Sequence, residues 1–114
     1  MYEAPVIVVA SAARTATGQS AALQCGGAPV LNLLVNTTAA SGTTPNMVLS
    51  VEWSPDGGTT WCTSDAADAF TAITTTTNLA KQFKAKSNTY RIVWTLTGTT
   101  PSFTFSVREY TTGA

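Results

Sequence analysis

No window of this chain places apolar residues at i, i+3, i+4 and i+7 for more than one turn, whereas period-two alternation recurs along its length. Successive side chains on a strand point to opposite faces, so this pattern restricts the chain to strands with one wet face. Four stretches carry it clearly. In "VLNLLVNTT", Leu31, Leu33 and Val35 share a face and Asn32 and Asn36 lie on the other. In "NMVLSVEWS", Met47, Leu49, Val51 and Trp53 alternate against Val48, Ser50, Glu52 and Ser54. In "TYRIVWTLT", Tyr90, Ile92, Trp94 and Leu96 oppose Arg91, Val93, Thr95 and Thr97. In "SFTFSVRE", Phe103, Phe105 and Val107 oppose Thr104, Ser106 and Arg108. Weaker strands are expected over 6–12, 21–24, 59–63, 70–75 and 81–86. Threonine, 22 of 114 residues, adds β-branched stiffness to the pattern. The expectation is an all-β protein, an antiparallel β-sandwich (Ig-like or jelly-roll-like) of about 8 short strands, with a small barrel as the neighbouring solution. Residues 1–10 form an N-terminal arm or the first strand, and 11–114 a single β-sandwich domain.

The tetrapeptide Gly-Thr-Thr-Pro occurs at 42–45 and again at 98–101. A strand follows each copy, with Met47, Leu49 and Val51 matching Phe103, Phe105 and Val107. A strong strand also precedes each copy. The reading is two similar hairpins, 56 positions apart, with Gly and Pro supplying the turns. Duplication and convergent turn chemistry both account for the echo. The inward faces supply enough Trp, Tyr, Phe, Ile and Leu for a core that needs no metal or disulfide.

Residues 54–61, "SPDGGTTW", match the Asp-box pattern Ser-x-Asp-x-Gly-x-Thr-Trp at Ser54, Asp56, Gly58, Thr60 and Trp61. The Asp-box is best known from sialidases and related β-propellers. A propeller needs several blades of about 40–50 residues each, which 114 residues cannot supply. The stretch therefore reads as a structural turn. Pro55 takes the first corner, Asp56 bonds the backbone ahead, and Gly57 and Gly58 accept positive φ after Ser54. Trp61 either packs in the core or marks a contact surface.

Catalysis finds little support. There is no histidine, hence neither the commonest general base nor the commonest metal ligand. The acids Glu3, Glu52, Asp56, Asp65, Asp68 and Glu109 include no pair poised for glycoside chemistry. Asp65 and Asp68 lack the spacing of a calcium loop. "CGGAP" at 25–29 lacks the Lys of a phosphate loop. Three arginines lie on three separate segments. Catalytic, cofactor-binding and metal residues are all expected to be none. Cys25 and Cys62 are expected as reduced thiols, with one disulfide as the alternative. The formal charge is zero, which gives no footprint for nucleic acid or an anionic membrane. Val6–Ala10 is too short, and its flank too acidic, for a signal peptide, and no stretch approaches a membrane span. Lys84 and Lys86 share a strand face. They either guard an edge strand or meet an acidic partner.

The segments "AARTATGQSAALQ" (12–24), "TAASGTTPNMVLSVEWSPDGGTTW" (38–61) and "YRIVWTLTGTTPSFTFSVREY" (90–110) together resemble small β-sandwich virion structural proteins of tailed bacteriophages, of the capsid decoration or head-surface type. The resemblance implies synthesis in the host cytoplasm and a place on the capsid surface of the virion. It implies the major capsid protein as partner and a symmetric homo-oligomer, a trimer being one such form. The function implied is cementing the outer surface of the head; a tail or neck accessory role is the second structural reading. A third reading is a carbohydrate-binding adhesion module stacking sugar on Trp61 or Tyr110. The candidate contact surface is Val6, Val8, Trp61, Lys84 and Lys86, with Val6–Val9 able to add a strand to a partner.

Overall fold

Apolar residues at every second position need an opposing surface, and the chain makes one by bending two long strands back over themselves. The structure is a computed structural model and describes residues 5–112. Residues 1–4 of the proposed N-terminal arm lie outside the described residues. The described residues form six strands: β1 (Val6–Arg14), β2 (Gly18–Gln19), β3 (Leu23–Gln24), β4 (Val30–Ser54), β5 (Thr77–Lys84) and β6 (Thr89–Thr112). All pairings are antiparallel, in the order β1-β6-β4-β5, with β2 and β3 also on β6. The protein is all-β, as the alternation requires.

β4 and β6 pair from Val30↔Thr112 to Ser54↔Thr89. Within β6, Trp94 and Phe105 are eleven positions apart, about 36 Å along an extended strand. Their ring centroids nevertheless lie 5.5 Å apart, edge to face. Tyr90 and Glu109, near opposite ends of the same strand, are hydrogen-bonded through the phenol and the carboxylate. The ribbon therefore folds double, and its inward faces meet. Leu31, Leu33, Met47, Leu49, Val51, Ile92, Phe103, Phe105 and Val107 are buried there. The guanidinium of Arg14 lies 4.7 Å over the Trp94 ring and 4.6 Å over Phe105, closing one side.

The bends fall at the two Gly-Thr-Thr-Pro segments, which corrects the hairpin expectation. Each flanking pair of stretches is one continuous strand, so six strands stand where about eight were expected. Neither segment makes a hairpin, because the two arms it joins pair with the other long strand and not with each other; each is a corner at which a long strand doubles back, and the two corners pack on one another. Thr43 pairs with Thr99. A Cβ on Gly42 would lie 2.7 Å from the Thr100 carbonyl, and one on Gly98 2.6 Å from that of Thr44. Both glycines have positive φ, 116° and 112°, and so, unusually, do Thr44 (47°) and Thr100 (46°). Register shifts on either side of the corners mark β-bulges, which bend a strand and raise its twist.

The echo extends well beyond the tetrapeptides. Val6 pairs with Glu109, and the Cys62 N–H donates to the Trp53 carbonyl at 2.8 Å. Val6 and Cys62, like Trp53 and Glu109, are 56 positions apart. The segment after Cys62 then runs along β4 through bridges at Ser50↔Ala69 and Met47↔Ile73, where β1 runs along β6. Two consecutive units, each ending in a bent strand, are thus related by an approximate two-fold axis between Thr43 and Thr99. The segments expected as strands at 59–63 and 70–75 make only this loose second copy of β1.

Candidate functional site

Ser54 ends β4 and organises the turn that follows. Its hydroxyl donates to Asp56 Oδ1 (2.9 Å) and accepts the N–H groups of Asp56 (3.3 Å) and Gly58 (2.8 Å). Asp56 Oδ1 in turn accepts the N–H groups of Thr59 (3.1 Å) and Thr60 (2.8 Å). The Thr60 backbone N–H, then its hydroxyl, hold the Asp56 carboxyl below the usual carboxylate range. Gly57 and Gly58 take positive φ, 77° and 112°. Pro55 is exposed at the corner. The hydrogen-bonding capacity of Ser54 and Asp56 is spent on the turn's own backbone.

Trp61 is half-buried on the outer face, with the Arg91 guanidinium 4.5 Å from its ring. Arg91 is in turn paired with Glu52 at 2.7 Å. Lys84 is exposed at the end of edge strand β5. Lys86 is already engaged, its ammonium 2.8 Å from Asp65 and 2.7 Å from the buried Asp68. Asp65 caps the 3-10 turn Ala66–Asp68, and Asp68 is its last residue. Among the described residues no group of three or more His, Cys, Asp or Glu is placed to hold a metal. Cys25 is buried and Cys62 exposed, and both are free thiols. Burial pushes the Cys25 thiol pKa up. Among the described residues no helix is long and apolar enough to cross a membrane.

Val6–Val9 form the start of edge strand β1. Bulges between Ile7 and Val9, and between Val9 and Ala12, break the alternation there. As a result Val6 and Ile7 are both exposed (62% and 52%), Val8 is half-buried against the core and Val9 is buried. Ile7 pairs with Arg108, Arg108 with Leu34, and Leu34 with Ala80, giving one row across four strands. Over this row lies an open groove of about 490 Å³ lined by Pro5, Asn32, Leu34, Ala80, Gln82 and Tyr110. Lys81 also borders it, and a shallower depression continues it past Asn36, Asn78 and Arg108. The amides bind the floor together: Asn32 Nδ2 donates to the Tyr110 carbonyl (2.9 Å), and Gln82 Nε2 donates to Asn32 Oδ1 (3.2 Å).

Sequence reasoning named Val6, Val8 and Tyr110 but missed Ile7, Leu34 and Ala80. The signal for Leu34 was present, since an apolar residue interrupts the polar series Asn32, Leu34, Asn36 on the outward face. Trp61, Lys84 and Lys86 are not among the groove-lining residues. No protein-family model, no curated protein and no solved structure matches the chain.

Proposed function

We propose that this chain is a virion structural protein that cements the outer surface of a bacteriophage head, using the β1 edge and the adjoining groove as its contact face. The observation that carries the reading is the pair Val6 and Ile7, exposed side by side at the start of an edge strand and continuous with the Leu34 and Ala80 row. Exposed apolar surface continuous with a groove marks an interaction site, and an edge strand accepts a partner by strand addition. The sequence resemblance to head-surface proteins supplies the setting, the major capsid protein as partner and the symmetric homo-oligomer. We read the folded sheet as a β-sandwich; counting each arm of β4 and β6 separately gives eight short strands. The role assigned is binding without catalysis.

The test is co-sedimentation of purified protein with heads that lack it, followed by cryo-EM. Binding at hundreds of copies per head, lost in Val6→Asp/Ile7→Asp with the fold intact, supports the proposal. Copy numbers of six or twelve move the protein to the neck or tail. Absence of particle binding removes the reading.

A further inference from the structure

The approximate two-fold axis lets the two halves of the molecule be compared position by position. The row Arg108–Leu34–Ala80 has a counterpart in Glu52–Arg91–Ala22: Glu52 pairs with Arg91, and Ala22 precedes Leu23, whose partner is Tyr90. Arg108 and Glu52 are 56 positions apart, Leu34 and Arg91 57, because a bulge after Thr37 adds one residue to β4. By the same offset the counterpart of Pro5 is Trp61. In the second half the Trp61 ring lies over the row, 4.5 Å from the Arg91 guanidinium, and a Cβ on Gly58 would touch both Trp61 and Ala22. In the first half the corresponding space, among the described residues, is the open groove beside Pro5.

We infer that the groove over Leu34 and Ala80 is the seat for one large aromatic side chain presented by an extended segment of a partner protein. In the internal copy, built on the same framework, an indole occupies the equivalent place, against Arg91 where the first half presents Leu34. Tyr110 at one end suits an aromatic guest, since ring pairs prefer edge-to-face or offset contact. The charges at the rim select its neighbours. Among the described residues no carboxylate lines either depression; Arg108 borders the second and is in no ion pair there, and Lys81 borders the first, its ammonium 5.7 Å from the Phe83 ring. The guest segment therefore carries Asp or Glu beside its aromatic residue. This inference rests on the cementing role for the partner's origin, but the chemistry of the seat stands apart from it.

The test is an NMR titration of the full chain with the peptide acetyl-Asp-Trp-Asp-amide. Saturable shifts confined to the backbone amides around Leu34, Ala80 and Tyr110 are expected, with at least tenfold weaker binding for the Trp→Ala peptide. The triple variant Pro5→Trp/Leu34→Arg/Arg108→Glu copies the second half's arrangement into the first, the Arg108→Glu change standing for Glu52 opposite Arg91, and should abolish these shifts while staying folded. Ala80→Glu, a change at an exposed position, provides the same loss by charge if the triple variant does not fold. No shifts, shifts elsewhere, or equal binding of both peptides overturns the inference. So does the same saturable pattern with methyl glucoside, or peptide binding that emerges only when residues 1–4 are deleted, which would make the chain's own N-terminus the guest. In the co-sedimentation assay, wild type that binds heads no better than Ala80→Glu leaves the cementing role standing and refutes the seat. Wild type that binds the peptide but no heads refutes the role alone.

Discussion

Thr43 and Thr99 pair directly across the centre of the β4–β6 ribbon, and they are the same position of two successive units. Around them each glycine of one corner lies against the backbone of the other. Gly42→Ala and Gly98→Ala should each destabilise the protein, by about 1–3 kcal/mol from positive φ alone and further from the carbonyl clash. Chemical denaturation of the two single variants and the double checks this; losses within experimental error would refute the corner geometry.

The edge-to-face pair of Trp94 and Phe105 spans the fold from one arm of β6 to the other. Trp94→Ala should cost about 3–5 kcal/mol. A double-mutant cycle with Phe105→Ala should show a coupling of about 0.5–1.5 kcal/mol. Two substitutions that simply add would indicate that the arms do not touch at this point.

Tyr90 is fully buried and donates to Glu109. Burial first, then the bond to Glu109, raises its phenol pKa far above the ordinary value. Raising the pH past the usual tyrosine range should therefore leave its ultraviolet signature un-ionised until the protein unfolds. Tyr90→Phe should cost about 1.5–3 kcal/mol, the range for hydrogen bonds to charged groups, measured as a fall in the denaturation midpoint.

The Asp56 carboxyl is held below its ordinary value by the Thr60 N–H and hydroxyl. A folded-state pKa depressed in this way contributes stability above the unfolded value, near 3.9, and loses it as the pH falls through the folded value. Acid should therefore loosen the turn after β4, and Asp56→Asn should flatten that part of the stability profile. An unchanged profile in the variant would show that the bonds to Thr59 and Thr60 carry no pH dependence.

Strand content, the inward faces and the turn at Ser54 were legible because alternation and Gly/Pro chemistry are local. The corners were misread for a physical reason: Gly-Thr-Thr-Pro looks the same whether the next strand returns beside the last or continues past a bend, and only the pairing of the two copies decides. The exposed Ile7 was hidden because two bulges shift the face on which β1 presents its side chains. Lys86 is expected from sequence to guard an edge strand or meet an acidic partner, because the partners it does have, Asp65 and Asp68, lie eighteen or more positions away. The groove needed Leu34, Ala80 and Tyr110 from three strands, a proximity that no linear pattern carries.

The turn at 54–61 joins the end of β4 to the segment that begins beside Trp53, and the end of β6 stands in the same relation to the start of β1, where Val6 meets Glu109. The chain is therefore nearly cyclic in its topology. A second copy of Ser-Pro-Asp-Gly-Gly-Thr-Thr-Trp linking the end of β6 to β1, with new termini opened at Gly57, would give a circular permutant that keeps the same sheet and every corner.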